Sequence, residues 1–168
     1  MQLNLVRVPG IRTPPQAEAV LVALARRLSP AGLRVQLVLA GDAGLRRLNR
    51  EYRGRDRTTD VLSFLYAAPG EGAPGRRRRS LAPEAELYIS MPRARAQARE
   101  RRHPLRCELV LLALHGMLHL QGHDHHRPGD ARRMRAAEVP QLRWLARRTG
   151  WRRLEPLVPN SGRDEETP

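Results

Sequence analysis

The 168-residue chain has no lysine, one cysteine and one phenylalanine, and aromatic residues make up only 4% of it. Each scarcity excludes something. A lone cysteine, Cys107, cannot form an internal disulfide; set in an apolar helical run, it reads as a small buried side chain rather than a reactive thiol. With so few aromatics, the core must be built from Leu, Val and Ala, and recognition of nucleic-acid bases by stacking is expected to be limited. The longest unbroken apolar runs, Val20 to Ala25 and Leu109 to Leu114, are far too short to cross a bilayer. The opening residues, MQLNLVRVPG, lack the charged-then-apolar order of an export signal. A reducing cytoplasm is therefore the expected location, with no membrane as partner.

What the chain does have is positive charge. Thirty-one arginines oppose 17 acidic residues, for a net charge of +14 and a pI near 11.6. Such a balance points to a polyanionic partner, RNA or DNA ahead of a membrane surface. An all-arginine basic set is also what a GC-rich coding sequence produces, so residue type alone singles out no one arginine.

The hydrophobic pattern gives the order β-α-β-α-β-β-α-α-α. Strands are expected at LNLVRV (residues 3–8), at the alternating Leu33, Val35, Leu37 and Leu39, at Val61 to Tyr66 and at Glu86 to Ser90. Thr13 before Pro14 and Pro15 predicts a helix start, with Val20, Leu21, Leu24 and Leu28 as its apolar face, and Asp42 can cap a short helix ending near Tyr52. Ser90 and Pro92 open a helix to about Arg102. Pro104 precedes the most apolar helix, Leu105 to about Leu120, and a last one runs from near Asp130 to Arg148, kinked or broken at Pro140. Residues 68–84 form a Gly/Pro/Arg stretch expected to be a long, mobile loop. Its Gly70 and Gly75 have phosphate-loop separation, but Arg76 and Arg77 stand where Lys-Ser/Thr must follow. The expected fold is α+β: a single domain over residues 1–155, with about four strands in a mixed sheet packed against helices and a metal site on a helix-turn. Residues 156–168 are read as a disordered tail.

Chemistry concentrates in one segment, His115-Gly-Met-Leu-His119-Leu-Gln-Gly122-His-Asp124-His125-His126, which holds five of the six histidines. Residues four apart share a helix face, so His115 and His119 can reach one metal ion. Gly122 can adopt positive φ, end the helix and turn the chain back. A third ligand then comes from the turn: His125 is preferred, while spacing also allows His123 or His126. Three neutral histidines without a fourth protein ligand suggest an open coordination position, as in catalytic zinc sites. Asp124 has two readings, orienting a ligating imidazole or capping the turn. His103, outside the cluster, reads as a surface residue. The spacing H-x3-H-x2-G-x2-H is also that of metzincin proteases, but Gly116 occupies the position of their glutamate base.

The motif H-G-x-L-H-L-x-G-x-D-H at residues 115–125 resembles the signature of the YbeY family of bacterial endoribonucleases. Two further blocks in family order are similar to it: Leu48-Asn49-Arg50-Glu51-Tyr52-Arg53-Gly54, with Asp56 and Thr59-Asp60-Val61-Leu62-Ser63-Phe64; and Ile89-Ser90 followed by Pro92-Arg93-Ala94 and Gln97-Ala98. The resemblance implies that His115, His119 and His125 bind one zinc ion per chain and that Arg53 is the catalytic arginine facing the metal. It further implies a single-strand-specific endoribonuclease in 16S rRNA 3′-end maturation and ribosome quality control. Precursor rRNA and the ribosome or its small subunit would be its partners. Departures from the family are Ala85-Glu86 in place of Gly-Asp, the run Arg76 to Arg79, and a last helix rich in arginine. The competing expectations are a non-catalytic ribosome-assembly RNA-binding factor with a structural metal and, opposed by Gly116, a metal-dependent peptidase.

Overall fold

The computed structural model describes residues 2–28, 33–66, 85–151 and residue 154. The 68–84 stretch and the 156–168 tail lie outside the described residues. The elements are β1 (Gln2–Arg7), α1 (Ala17–Leu28), β2 (Arg34–Ala40), α2 (Asp42–Arg53), β3 (Val61–Leu65), β4 (Ala85–Ser90), α3 (Met91–Glu100), α4 (Leu105–Leu120) and α5 (Pro128–Thr149). The four strands form one mixed sheet in the order β1-β2-β4-β3. β1 and β4 run parallel to β2, and β3 lies antiparallel on β4 as an edge strand, with Val61 opposite Ile89 and Phe64 opposite Glu86. The α+β expectation holds.

Strand alternation assigns the two faces. Leu37, Leu39, Leu87 and Ile89 point into the main core, which they share with α1, α4 and the inner faces of α3 and α5. Val38, Ala40 and Tyr88 face the other way, where Leu45 of α2 covers them. α4 is buried on every side from Cys107 to Leu118. It therefore lacks an amphipathic period, the mark of a helix inside a core. Leu109, Leu111, Leu112 and Leu114 are each at most 2% exposed, which contributes about 1.5–3 kcal/mol apiece. The two histidines on α4 thus sit on the most deeply anchored element of the molecule. Gly116 is where α4 touches the sheet: a Cβ there would lie 2.2 Å from Leu87 Cδ1 and 3.1 Å from Val61 Cγ2.

Several local expectations are corrected. α1 begins at Ala17, because Thr13 Oγ1 accepts a hydrogen bond from Arg7 Nε at 2.6 Å instead of capping the helix. Asp42 is the first residue of α2 rather than its cap; Gly41 takes the cap position, and the Asp42 carboxylate accepts from Ser90 Oγ. α5 runs unbroken through Pro140, which lies on the exposed side. The carbonyl that its missing N–H leaves unpaired therefore faces water. The side chain of His103, rather than lying on the surface, is only 3% exposed, with Nε2 2.5 Å from Glu108 Oε2. Arg101 lies 3.0 Å from the other oxygen of the same wholly buried carboxylate. A buried carboxylate needs such partners, and that need draws His103 inward.

The aromatic residues are unevenly placed. Tyr52, Phe64 and Tyr88 stack edge to face with centroids 5.2 and 6.0 Å apart. The hydroxyls of Tyr66 and Tyr88 both donate to Glu86 Oε2 at 2.7 Å. The two tryptophans are covered by arginines: Arg27 and Arg148 lie over Trp144, and Arg106 over Trp151. Cys107 is 1% exposed, as expected of a small buried side chain.

Candidate metal centre

At the C-terminal end of α4, the backbone closes as the glycine turn requires. Gly122 has φ +85°, its N–H donates to His119 O at 2.9 Å, and that of His123 donates to Leu118 O at 3.1 Å. This pair of hydrogen bonds satisfies the last carbonyls of the helix and sends the chain back over its own end. His125 arrives beside His115 and His119. The ring centroids are 4.8, 5.0 and 5.1 Å apart, and one ring nitrogen from each lies within 4.8 Å of the others. Among the described residues this is the one such group of three or more potential ligands. His123 and His126 line the same cleft but stand outside the triplet.

The donor set fits a metal ion. The Nε2 atoms of His115 and His119 are 3.2 Å apart; two nitrogens each about 2.0–2.1 Å from a tetrahedral zinc are separated by ~3.3 Å. His115 is held by a residue the sequence reading missed. Glu138 on α5, 1% exposed, accepts from His115 Nδ1–H at 3.0 Å, which leaves the Nε2 lone pair directed at the other two histidines. Burial, then the neighbouring imidazoles of His115 and His125, push the pKa of His119 down to about 4. Its neutral, lone-pair-bearing form therefore prevails near neutrality. Asp124 takes the turn-capping position: its Oδ1 accepts from the His125 backbone N–H at 2.7 Å and lies 3.6 Å from His126 Nε2.

The triplet opens into a cleft of about 700 Å³ whose walls include Arg53, Thr59, Asp60, Gln97 and Arg101. Arg53 reaches it from the last turn of α2, passing the edge strand β3, with Nη2 3.5 Å from Ser63 O. Asp60 is held from both sides, by Val61 N–H at 2.9 Å and Gln97 Nε2 at 2.9 Å. Gly116 also faces the cleft. A side chain there would have to displace the end of Leu87, and glycine in the position of the metzincin glutamate leaves that base absent.

The arrangement defines a class: a single α+β domain with an open three-histidine pocket between the edge strand and a buried helix. Comparison with known proteins then gives the family. The family model described as Endoribonuclease YbeY matches residues 12–145, and the chain belongs to that family. Among curated proteins named Endoribonuclease YbeY, the one from Solibacter usitatus is 44% identical over 126 residues, covering 73% of this chain and 74% of the relative. The one from Roseiflexus sp. is 46% identical over 114 residues, covering 66% and 69%. A Myxococcus xanthus protein of the same name is 43% identical over 116 residues, which span 69% of this chain but 38% of that relative. The solution structure of TM1509 from Thermotoga maritima shares the fold, with a TM-score of 0.55 at 22% identity over 88% of this chain and 89% of that one.

Proposed function

We propose that this protein is a metal-dependent endoribonuclease specific for single-stranded RNA, acting in the cytoplasm on precursor rRNA at the ribosome or its small subunit. Maturation of the 16S 3′ end and ribosome quality control are the processes proposed for it. The observation that carries the reading is three imidazole nitrogens within 4.8 Å of one another in a cleft that also has Arg53 in its wall. The family membership and the names of the relatives support the same substrate class.

His115, His119 and His125 would hold one zinc ion, three nitrogen ligands being the protein's share of many catalytic zinc sites. Bound there, zinc would supply Lewis acidity and would lower the pKa of a water towards neutrality. The remaining chemistry falls to the chain's own residues. Glu138 fixes the tautomer and orientation of His115. Arg53 presents a planar guanidinium, which pairs with two phosphoryl oxygens and stabilises charge developing on them. Gln97 Nε2 donates to Asp60 in the wall of the same cleft. They present fixed polar groups rather than mobile ones.

The space beside the triplet favours a catalytic over a purely structural metal, because structural zinc sites are closed by a fourth protein ligand. The test is cleavage of an end-labelled single-stranded RNA by wild type, Arg53→Ala and His119→Ala preparations purified identically. Cleavage by the wild type alone, with all three folded, supports the proposal. Equal cleavage by all three reveals contaminating nuclease, and binding without cleavage by all three favours an assembly factor.

A further inference from the structure

We propose that a hollow beside the metal cleft, walled by Arg53, Arg55, Arg57 and Arg93, is a second phosphate subsite that takes the phosphodiester next to the one at the histidines. The inference rests on the ribonuclease reading and extends it to substrate positioning. The hollow has a volume of about 420 Å³ and shares Arg53, Thr59 and Asp60 with the cleft. A chain passing from one to the other therefore stays against the same wall. Four arginines line it against one acidic residue, Asp60, whose carboxylate oxygens already accept from Val61 N–H and Gln97 Nε2.

The loop that carries these arginines is built rather than loose. Gly54 ends α2 at φ +65°, and the N–H of Arg55 donates to Asn49 O at 3.2 Å. Asn49, 4% exposed, uses its Nδ2 to hold Arg57 O at 2.8 Å. On the facing side, Arg93 Nη2 donates to Thr58 Oγ1, and its Nε is buried with no hydrogen-bond partner among the described residues. The nearest carboxylate to that Nε, Asp42, is 3.9 Å away.

Charge pairing has also been arranged to leave the hollow basic. Asp56, which sits in the same loop, is turned outward onto Arg46 through a two-point contact at 2.9 and 2.8 Å, with Arg50 at 3.9 Å. Among the described residues, no carboxylate lies within ion-pair distance of Arg55 or Arg57. Arg93 has Asp42 at 3.9 Å as its carboxylate neighbour, so Arg53, Arg55 and Arg57 are the guanidiniums without an ion pair among the described residues, and a guanidinium suits a phosphate, which accepts paired N–H bonds.

The test compares zinc-loaded wild type with the Arg55→Gln/Arg57→Gln double variant. Both side chains are exposed, and equal zinc content and melting midpoint check that the fold is kept. Cleavage of a labelled single-stranded octaribonucleotide should show KM raised about tenfold with kcat within about twofold. Binding of the matching single-stranded DNA octamer, which lacks the 2′-hydroxyl, should lose about 0.7 from the slope of log Kd against log salt, the value for one lost phosphate contact. Octaribonucleotides carrying one uncharged methylphosphonate linkage should weaken wild-type binding when that linkage neighbours the cut, and leave the double variant indifferent. If the wild type cuts RNA while the double variant keeps its KM, its salt slope and its sensitivity to the neutral linkage, the subsite is wrong and the ribonuclease reading stands. If the wild type cuts no RNA yet the difference in slope persists on the DNA octamer, the subsite stands and the ribonuclease reading falls. Displacement of the DNA by a glutamate octapeptide as readily as by unlabelled DNA would also overturn it, since the hollow would then be a general acid-binding surface.

Discussion

Replacing Glu138 by Gln tests whether the buried carboxylate sets the metal site. The substitution keeps the shape and an acceptor oxygen facing His115 Nδ1, now 3.0 Å from the carboxylate, and removes only the charge. Partners that orient a ligating histidine are typically worth about 10–100-fold in metal affinity, equivalent to about 1.4–2.8 kcal/mol at 1.4 kcal/mol per decade. The retained hydrogen bond places Glu138→Gln near the tenfold end, and Glu138→Ala, which also opens a hole beside a residue 1% exposed, near the hundredfold end. The metal-free protein should respond with the opposite sign. Without a cation nearby, a buried carboxylate is costly to desolvate, so apo Glu138→Gln should melt no lower than apo wild type. Zinc affinity by competition with a chromophoric chelator, beside thermal melts of apo and loaded protein, reads both quantities. A zinc Kd for Glu138→Gln within twofold of wild type would refute the idea that Glu138 acts through the imidazole.

Other outcomes follow from the same geometry. Zinc added at 100 times its Kd should stabilise the fold by about 2.7 kcal/mol in denaturant titrations, and His119→Ala should abolish that gain. Gly116→Ala should destabilise by about 1–3 kcal/mol through overpacking, because its Cβ would meet Leu87 at 2.2 Å; an unchanged denaturation midpoint would contradict the close helix–sheet contact. Tyr66 is moved up to about 12 by burial and then by its bond to Glu86. A raised acid holds its proton in the fold, so its stabilising contribution is complete below pH 10 and fades as the pH rises towards 12. Glu86→Gln should bring phenolate absorbance in earlier on an alkaline titration.

How far the sequence could be read follows from which physics is local. The histidine pair on α4 and the Gly122 turn were legible because helical spacing and positive φ are properties of a few adjacent residues. Strands β1 and β2 announced themselves through alternation. The contact between Glu138 and His115 spans 23 residues and had no local signature in the metal segment. It did leave a trace: Glu138 falls in the apolar stripe of α5, in register with Ala131, Met134, Leu142 and Leu145, where an acid needs a reason to be buried. His103 was misread for the same cause, since its partner Glu108 is itself a carboxylate inside the apolar face of α4. The scarcity of aromatics was legible, but not that Tyr52, Phe64, Tyr66 and Tyr88 would gather on one side of the sheet. Strand register places Phe64, Tyr66 and Tyr88 together, and the packing of α2 brings Tyr52 to them.

A metal held by His115, His119 and His125 is proposed to drive RNA cleavage beside Arg53. The most direct measurement is a zinc titration of the apo protein, with cleavage rate on single-stranded RNA as the readout. Without metal no cleavage is expected, followed by a linear rise to a plateau at one zinc per chain, and no recovery in His119→Ala. Cleavage at full rate in the chelated protein, or a rise indifferent to loss of His119, would contradict that proposal.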